Sequence, residues 1–190
     1  DVQDSSRDEG PTPFALSLWN PVQTSDETQS VRGLRLNLPY GKNHDVKGLD
    51  LGVANYATGE LRGVQYGLGG YVKGDVTGVQ YNYILNVGQG NVLGWQAGIY
   101  DYAGSLEGVQ TGIVNQVGGD AFGVMLGGVN VAEQSSEGVT LGVVNYAKRT
   151  SGLQLGLVNV TNHLYGVQIG LANYASNGFV PFFPVFNAAL

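Results

Sequence analysis

GVTLGVVNYAKRTS (138–151), GLQLGLVNVTNHLY (152–165) and GVQIGLANYA (166–175) are one unit written three times. Aligned on the leading glycine, the unit recurs backward through the chain, starting at Gly33, Gly48, Gly63, Gly78, Gly94, Gly108, Gly123, Gly138, Gly152 and Gly166. The steps are 14 to 16 residues. A unit of that length has room for a strand, a bend and a second short strand, but it cannot bury an apolar face alone. It must stack on copies of itself.

The columns of the alignment carry the secondary structure. With the leading glycine as position zero, position one is aliphatic (Leu49, Val64, Val79, Val109, Val124, Val139, Leu153, Val167), with Trp95 the bulky exception. Position three is mostly apolar (Leu51, Tyr66, Leu126, Leu141, Leu155, Ile169), and position five is Val53, Leu68, Ile99, Ile113, Val143, Leu157 or Leu171. Between them lie glycine, often glutamine (Gln65, Gln80, Gln96, Gln110, Gln154, Gln168) and glycine again. Period two is the mark of a half-buried strand, and a helix would space its apolar residues three and four apart. The expected core is the aliphatic set, with the Gly/Gln/Gly set facing out.

Position seven is asparagine at Asn55, Asn115, Asn130, Asn145, Asn159 and Asn173; Asp101 and Gly70 replace it in two copies, and Asn86 is one step late in the longest copy. Asparagine tolerates a bend. Stacked in register, its amides can also bond along the axis, each donating to the next. These six residues are therefore predicted to form a structural ladder.

The expected fold is all-β, a β-solenoid of about ten coils of about fifteen residues, with coils about 4.8 Å apart and a rod of about 45–50 Å. The alternative is an outer-membrane up-and-down β-barrel, one strand and turn per unit. Even connector lengths and the need for identical neighbours at position seven favour the solenoid. Residues 1–30 form an acidic leader and N-terminal edge strand or cap, 31–175 the repeats, and 176–190 a C-terminal cap rich in aromatics and proline.

GLQLGLVNV, GVQIGLANYA and the terminal VPFFPVFN resemble the bacterial surface-repeat proteins, an uncharacterised family of exported proteins. The resemblance covers about residues 31–190 and implies export and a place at the cell surface. It brings no activity with it.

Composition narrows the function. The chain has 190 residues, 31 glycines, no cysteine and only 13% charged residues. Disulfides and thiolate metal sites are thus absent, and no apolar run is long enough for a membrane helix. Residues 1–30 carry six acids and one base, whereas the other 160 carry nine acids and eight bases. A nearly neutral body permits close association, and no basic face is present for nucleic acid. A start at Asp1 rather than methionine suggests a processed mature form or a trimmed chain, from which any secretion signal has been removed.

Little in the sequence points to chemistry. His44 and His163 each stand beside an asparagine in a turn, without the further ligands that zinc requires. The turn acids Glu60, Asp75, Glu107, Asp120 and Glu137 come singly and do not form the tandem nonapeptide of calcium β-rolls. No nucleophile–base arrangement or carboxylate pair recurs, and GLGG at 67–70 lacks the helix and lysine of a phosphate loop. No cofactor is implied, and the expectation is a non-enzyme.

Two surfaces remain as candidates for binding. Tyr56, Tyr71, Tyr102, Tyr146 and Tyr174 form a broken aromatic row beside the glycine columns, a candidate docking face. Phe14, Leu16, Leu18 and Trp19 form an apolar strand on a polar tether, able to fold back on the first coil or to pair with a neighbour. The expected function is an exported, extracellular or cell-surface structural protein that associates with itself, filaments being one form. The other readings are an outer-membrane barrel, the one case with a membrane partner, and a carbohydrate-binding solenoid.

Overall fold

The leading glycines set the geometry of the coil. All ten, from Gly33 to Gly166, have φ between 126° and 143°, a region that side chains avoid. The backbone also runs close beneath its neighbour: a Cβ on Gly152 would lie 2.2 Å from the carbonyl oxygen of Gly138. Glycine recurs here because each coil rests directly on the one before. The computed structural model, which describes residues 10–19, 22–178 and 180–189, repeats this contact through all the coils.

The strands are β1 (Thr12–Trp19), β2 (Val22–Gln23), β3 (Val31–Asn43), β4 (Val46–Ala57), β5 (Leu61–Val72), β6 (Val76–Val117), β7 (Ala121–Leu141), β8 (Val144–Leu155), β9 (Val158–Ala175) and β10 (Phe182–Ala189). They form one sheet in the order β10-β9-β8-β7-β6-β5-β4-β3-β1-β2. From β3 to β9 neighbours are parallel and offset by one coil, so that Gly33 faces Gly48, Gly48 faces Gly63 and Gly152 faces Gly166. The chain is a β-solenoid of about ten turns. The barrel is overturned by this register, because an up-and-down barrel needs antiparallel neighbours. Among the described residues no helix is long and apolar enough to cross a membrane.

The interior reverses the expectation drawn from hydropathy. Gln65, Gln80, Gln96, Gln110, Gln154 and Gln168 at position two are buried, and so are the asparagines at position seven. The aliphatic columns expected to form the core face outward: Val53, Leu68, Ile99, Ile113, Val143, Leu157 and Leu171 are all exposed, Leu171 at 70%. The Gly/Gln/Gly set is therefore no outer docking face. Apolar burial comes from two other columns. One lies two residues before the leading glycine (Val46, Leu61, Val76, Val92, Leu106, Leu164), and the other two residues after position seven (Ala57, Val72, Ala103, Val117, Ala132, Ala147).

Stacking supplies the physical reason. At a spacing of about 4.8 Å a primary amide reaches the same amide above and below it, so it can be buried with its hydrogen bonds made. A satisfied buried amide escapes the penalty of an unpaired one. Apolar residues, for their part, are not confined to interiors.

Both ends are covered by the chain itself. β1 pairs in parallel with β3, Phe14 opposite Leu34 and Ser17 opposite Asn37, and β2 closes on β1 through Ser17↔Gln23 and Trp19↔Val22. The apolar strand thus folds back on its own first coil, burying Ala15 and Ser17 and leaving Phe14 and Leu18 exposed. At the other end β10 runs antiparallel to β9, Phe182 opposite Tyr174 and Ala189 opposite Gly166. The register shifts between Phe183 and Val185, where Pro184 sits, and Val185 has φ 72°. A bulge is where a strand can hold a proline. The acidic residues at 1–9 lie outside the described residues.

Candidate functional site

The two amide columns are hydrogen-bonded along the axis in opposite directions. In the glutamine column each side chain donates toward the N-terminus: Gln80 Nε2 to Gln65 Oε1 at 3.0 Å, Gln96 to Gln80 at 2.7 Å, and Gln110 to Gln96 at 2.7 Å. Met125 and Thr140 interrupt the column, leaving Gln110 Oε1 and Gln154 Nε2 without a partner, and Gln168 resumes it onto Gln154 at 2.8 Å. The asparagine column donates toward the C-terminus: Asn115 to Asn130 at 2.7 Å, then Asn130 to Asn145, Asn145 to Asn159 and Asn159 to Asn173, each at 2.8 Å. The second amide hydrogen goes to a main-chain carbonyl, that of Leu126, Leu141, Leu155 or Ile169. Asn173 ends the row on Phe183 O of β10. Asn55 stands apart from this row: its Oδ1 accepts from Asn37 Nδ2 at 2.7 Å and its Nδ2 donates to Tyr66 O.

A column that donates in one direction needs an acceptor at its end. Asp50 fills that role for the glutamines, accepting from Gln65 Nε2 at 2.8 Å and from Asn37 Nδ2 at 2.9 Å. Arg35, one coil earlier, forks onto both Asp50 oxygens at 2.7 and 2.6 Å, and its Nη1 donates to Tyr56 O. Both side chains are fully buried. The fork onto Asp50 and the bond to Tyr56 O replace hydrogen bonds to water that burial of the pair removes. Where position seven is Gly70, the vacated space is taken by Gln65 Oε1 and Asn82 Nδ2, and Asn82 bonds both Gln65 and Asn86.

Asp101 is the unusual member of the asparagine column. Its Oδ1 accepts from Asn86 Nδ2 at 2.6 Å, while its Oδ2 and Asn115 Oδ1 are both buried without a partner. Both of those oxygens border the space beside Gly112. Burial pushes the Asp101 carboxyl up to about 7, against the opposing hydrogen bonds from Asn86 and the Gly98 main chain. A neutral carboxyl has an O–H to donate, as the amide of an asparagine would, and Asn115 Oδ1 is the unpaired acceptor bordering the same space.

The exterior is sharply divided. From position one to position eight of every coil in 31–175, the only charged residues are Arg35, Asp50 and Asp101, all buried. The exposed residues there are aliphatic, aromatic or small. Charges lie on the rest of each coil, among them Lys47, Glu60, Arg62, Lys73, Asp75, Glu107 and Lys148.

The predicted tyrosine row is only partly assembled. Tyr56 and Tyr71 stack with centroids 5.2 Å apart and planes 10° apart, but Val87, Gln116, Val131 and Val160 separate the others. The more continuous aromatic group is Tyr66, Tyr81, Tyr83 and Trp95 on the outward columns, with Tyr66 and Tyr83 hydroxyls 2.7 Å apart. The turn acids hold turns: Asp45 and Asp75 accept the main-chain N–H of Glu60 and Asn91, and Asp120 accepts from Ser135 Oγ. His44 shares a hydrogen bond with Thr58, 3.2 Å away. Among the described residues no group of three or more His, Cys, Asp or Glu could hold a metal ion.

No family model, curated protein or solved structure matches this chain. Of the six predicted asparagines, Asn115, Asn130, Asn145, Asn159 and Asn173 are bonded to one another in a row, whereas Asn55 is bonded to Asn37 and the Tyr66 main chain and to none of the other five. Hydropathy missed the glutamine ladder and its Arg35–Asp50 terminus. The available signal was positional, since Arg35 and Asp50 occupy the glutamine column in adjacent coils as a complementary pair.

Proposed function

We propose that this chain is a non-enzymatic structural protein, exported to the cell exterior or surface, that associates side by side with copies of itself. The observation that carries the reading is the uncharged outer surface from position one to position eight, which keeps its composition through all ten coils. Ten coils at about 4.8 Å, with four or five residues at about 3.3 Å across, make one such side about 700 Å². A standard interface buries about 800 Å² per partner, and the largest apolar patch of an ordinary monomer is about 300–600 Å².

A second copy suits this surface because of its spacing. Ridges of Val, Ile and Leu recurring at the coil repeat interdigitate with ridges of the same repeat, and a copy of this chain has that repeat. The nearly neutral body adds little repulsion. The resemblance of the repeats to surface-repeat proteins supports the location. Self-association through β1 is not needed, because β1 covers its own first coil.

Sedimentation velocity over a concentration series tests the proposal. The parent should associate, and Ile113→Lys with Leu157→Lys, both at exposed position five, should yield monomers with unchanged circular dichroism. A parent that stays monomeric at high concentration would refute it, and so would flotation with neutral lipid vesicles in place of self-association.

A further inference from the structure

On the charged side of the rod a groove of about 530 Å³ runs across four consecutive coils, from Phe122 to Tyr165. Its position follows from the repeat lengths. The connector before Gly138 has five residues after Ala132, whereas those before Gly152 and Gly166 have four after Ala147 and Thr161. The register shift between Ala132 and Ser135 marks the change. The inward column beneath also shrinks here, from leucine and valine to Ala121, Ser136 and Thr150.

The lining differs from the rest of the surface. Phe122 and Tyr165 stand at the two ends, 61% and 66% exposed, each directly before a leading glycine. They are three coils apart, about 14 Å along the axis. Between them Glu137, Arg149 and His163 present charged or ionisable groups whose side chains make no hydrogen bond or ion pair with one another or with other described residues. In the floor, Thr150 is 2% exposed and its Oγ1 has no partner.

We propose that this groove binds a short, uncharged oligosaccharide lying along the rod axis. An acid and a base together disfavour any ligand of a single charge, since one of the two would repel it. A sugar offers hydroxyls that both donate and accept, matching Glu137 as acceptor and Arg149 as donor. Its C–H faces suit exposed aromatic rings, here one at each end. The volume lies within the range of small-ligand sites. The groove is on the side opposite in character to the apolar surface proposed for self-association, so the two functions are separable.

The test uses the full chain and three neutral probes: cellotetraose, maltotetraose and chitotriose. Saturation-transfer NMR should show transfer to the sugar ring C–H protons of at least one probe, and calorimetry should give its affinity. Phe122→Ala with Tyr165→Ala should weaken binding at least tenfold, and Glu137→Gln with Arg149→Gln should do so separately, both with unchanged melting temperature because all four side chains are exposed. Ile113→Lys with Leu157→Lys should leave binding intact. Absence of transfer from all three probes at millimolar concentration overturns the proposal, as does binding that survives the aromatic double substitution.

Discussion

Replacing Asp101 with asparagine should stabilise the protein at neutral and alkaline pH and leave it nearly unchanged in acid. The substitution keeps the shape and supplies an Nδ2 donor to Asn115 Oδ1, which has no partner beside an ionised Asp101. The magnitude follows from linkage. The unfolded carboxyl titrates near 3.8 and the folded one at about 7, raised mainly by burial. Below the lower value both states hold the proton. Between the two values the unfolded state releases it and the folded state does not, so stability falls as pH rises, and the loss is complete above the upper value. Three pH units of separation correspond to about 4 kcal/mol. Urea unfolding of parent and Asp101→Asn from pH 4 to 8.5, read as the difference between the two, cancels the other titrating groups. The difference should be near zero at pH 4 and rise toward about 4 kcal/mol by pH 8. A difference that is flat with pH, or a variant less stable than the parent at pH 8, would refute the protonated link in the row.

Other substitutions test the rest of the interior. Asn145→Leu removes the acceptor of Asn130 Nδ2 and the donor to Asn159 Oδ1, and should cost about 1–3 kcal/mol for each group left unpaired, measured by urea unfolding. Arg35→Met strands the buried Asp50 carboxylate and should destabilise by about 3–5 kcal/mol, whereas Arg35→Met with Asp50→Gln should recover most of the loss by continuing the amide column. Gly152→Ala meets both a φ of 129° and the Gly138 carbonyl, and should lower the melting temperature far more than alanine at the exposed, open Gly10.

Periodicity carried everything that depends on the main chain. Ten glycines in register specify parallel stacking, and an asparagine seven residues later can find an identical neighbour only in that arrangement, so solenoid and ladder were legible together. Alternation identifies two faces of a strand but does not say which is inside. Hydropathy chose Ile113 over Gln110, and the hydrogen bonds between coils reverse that choice, since a glutamine in a stack is satisfied where a lone glutamine would not be. The groove was illegible for a different reason. It arises from a one-residue change in connector length acting on Glu137, Arg149 and His163, which are scattered in sequence and adjacent only after coiling.

The central claim is that, in the strand after each leading glycine, the amides of positions two and seven face inward and the aliphatic side chains of position five face outward. Hydrogen–deuterium exchange of side-chain amides, followed by NMR on a dilute sample, tests it directly. The Nε2 protons of Gln80, Gln96 and Gln168 and the Nδ2 protons of Asn130, Asn145 and Asn159 should persist long after those of the exposed Gln89 and Gln134 have exchanged. Exchange of the six at the rate of Gln89 and Gln134 would place the glutamines and asparagines in water and contradict the account.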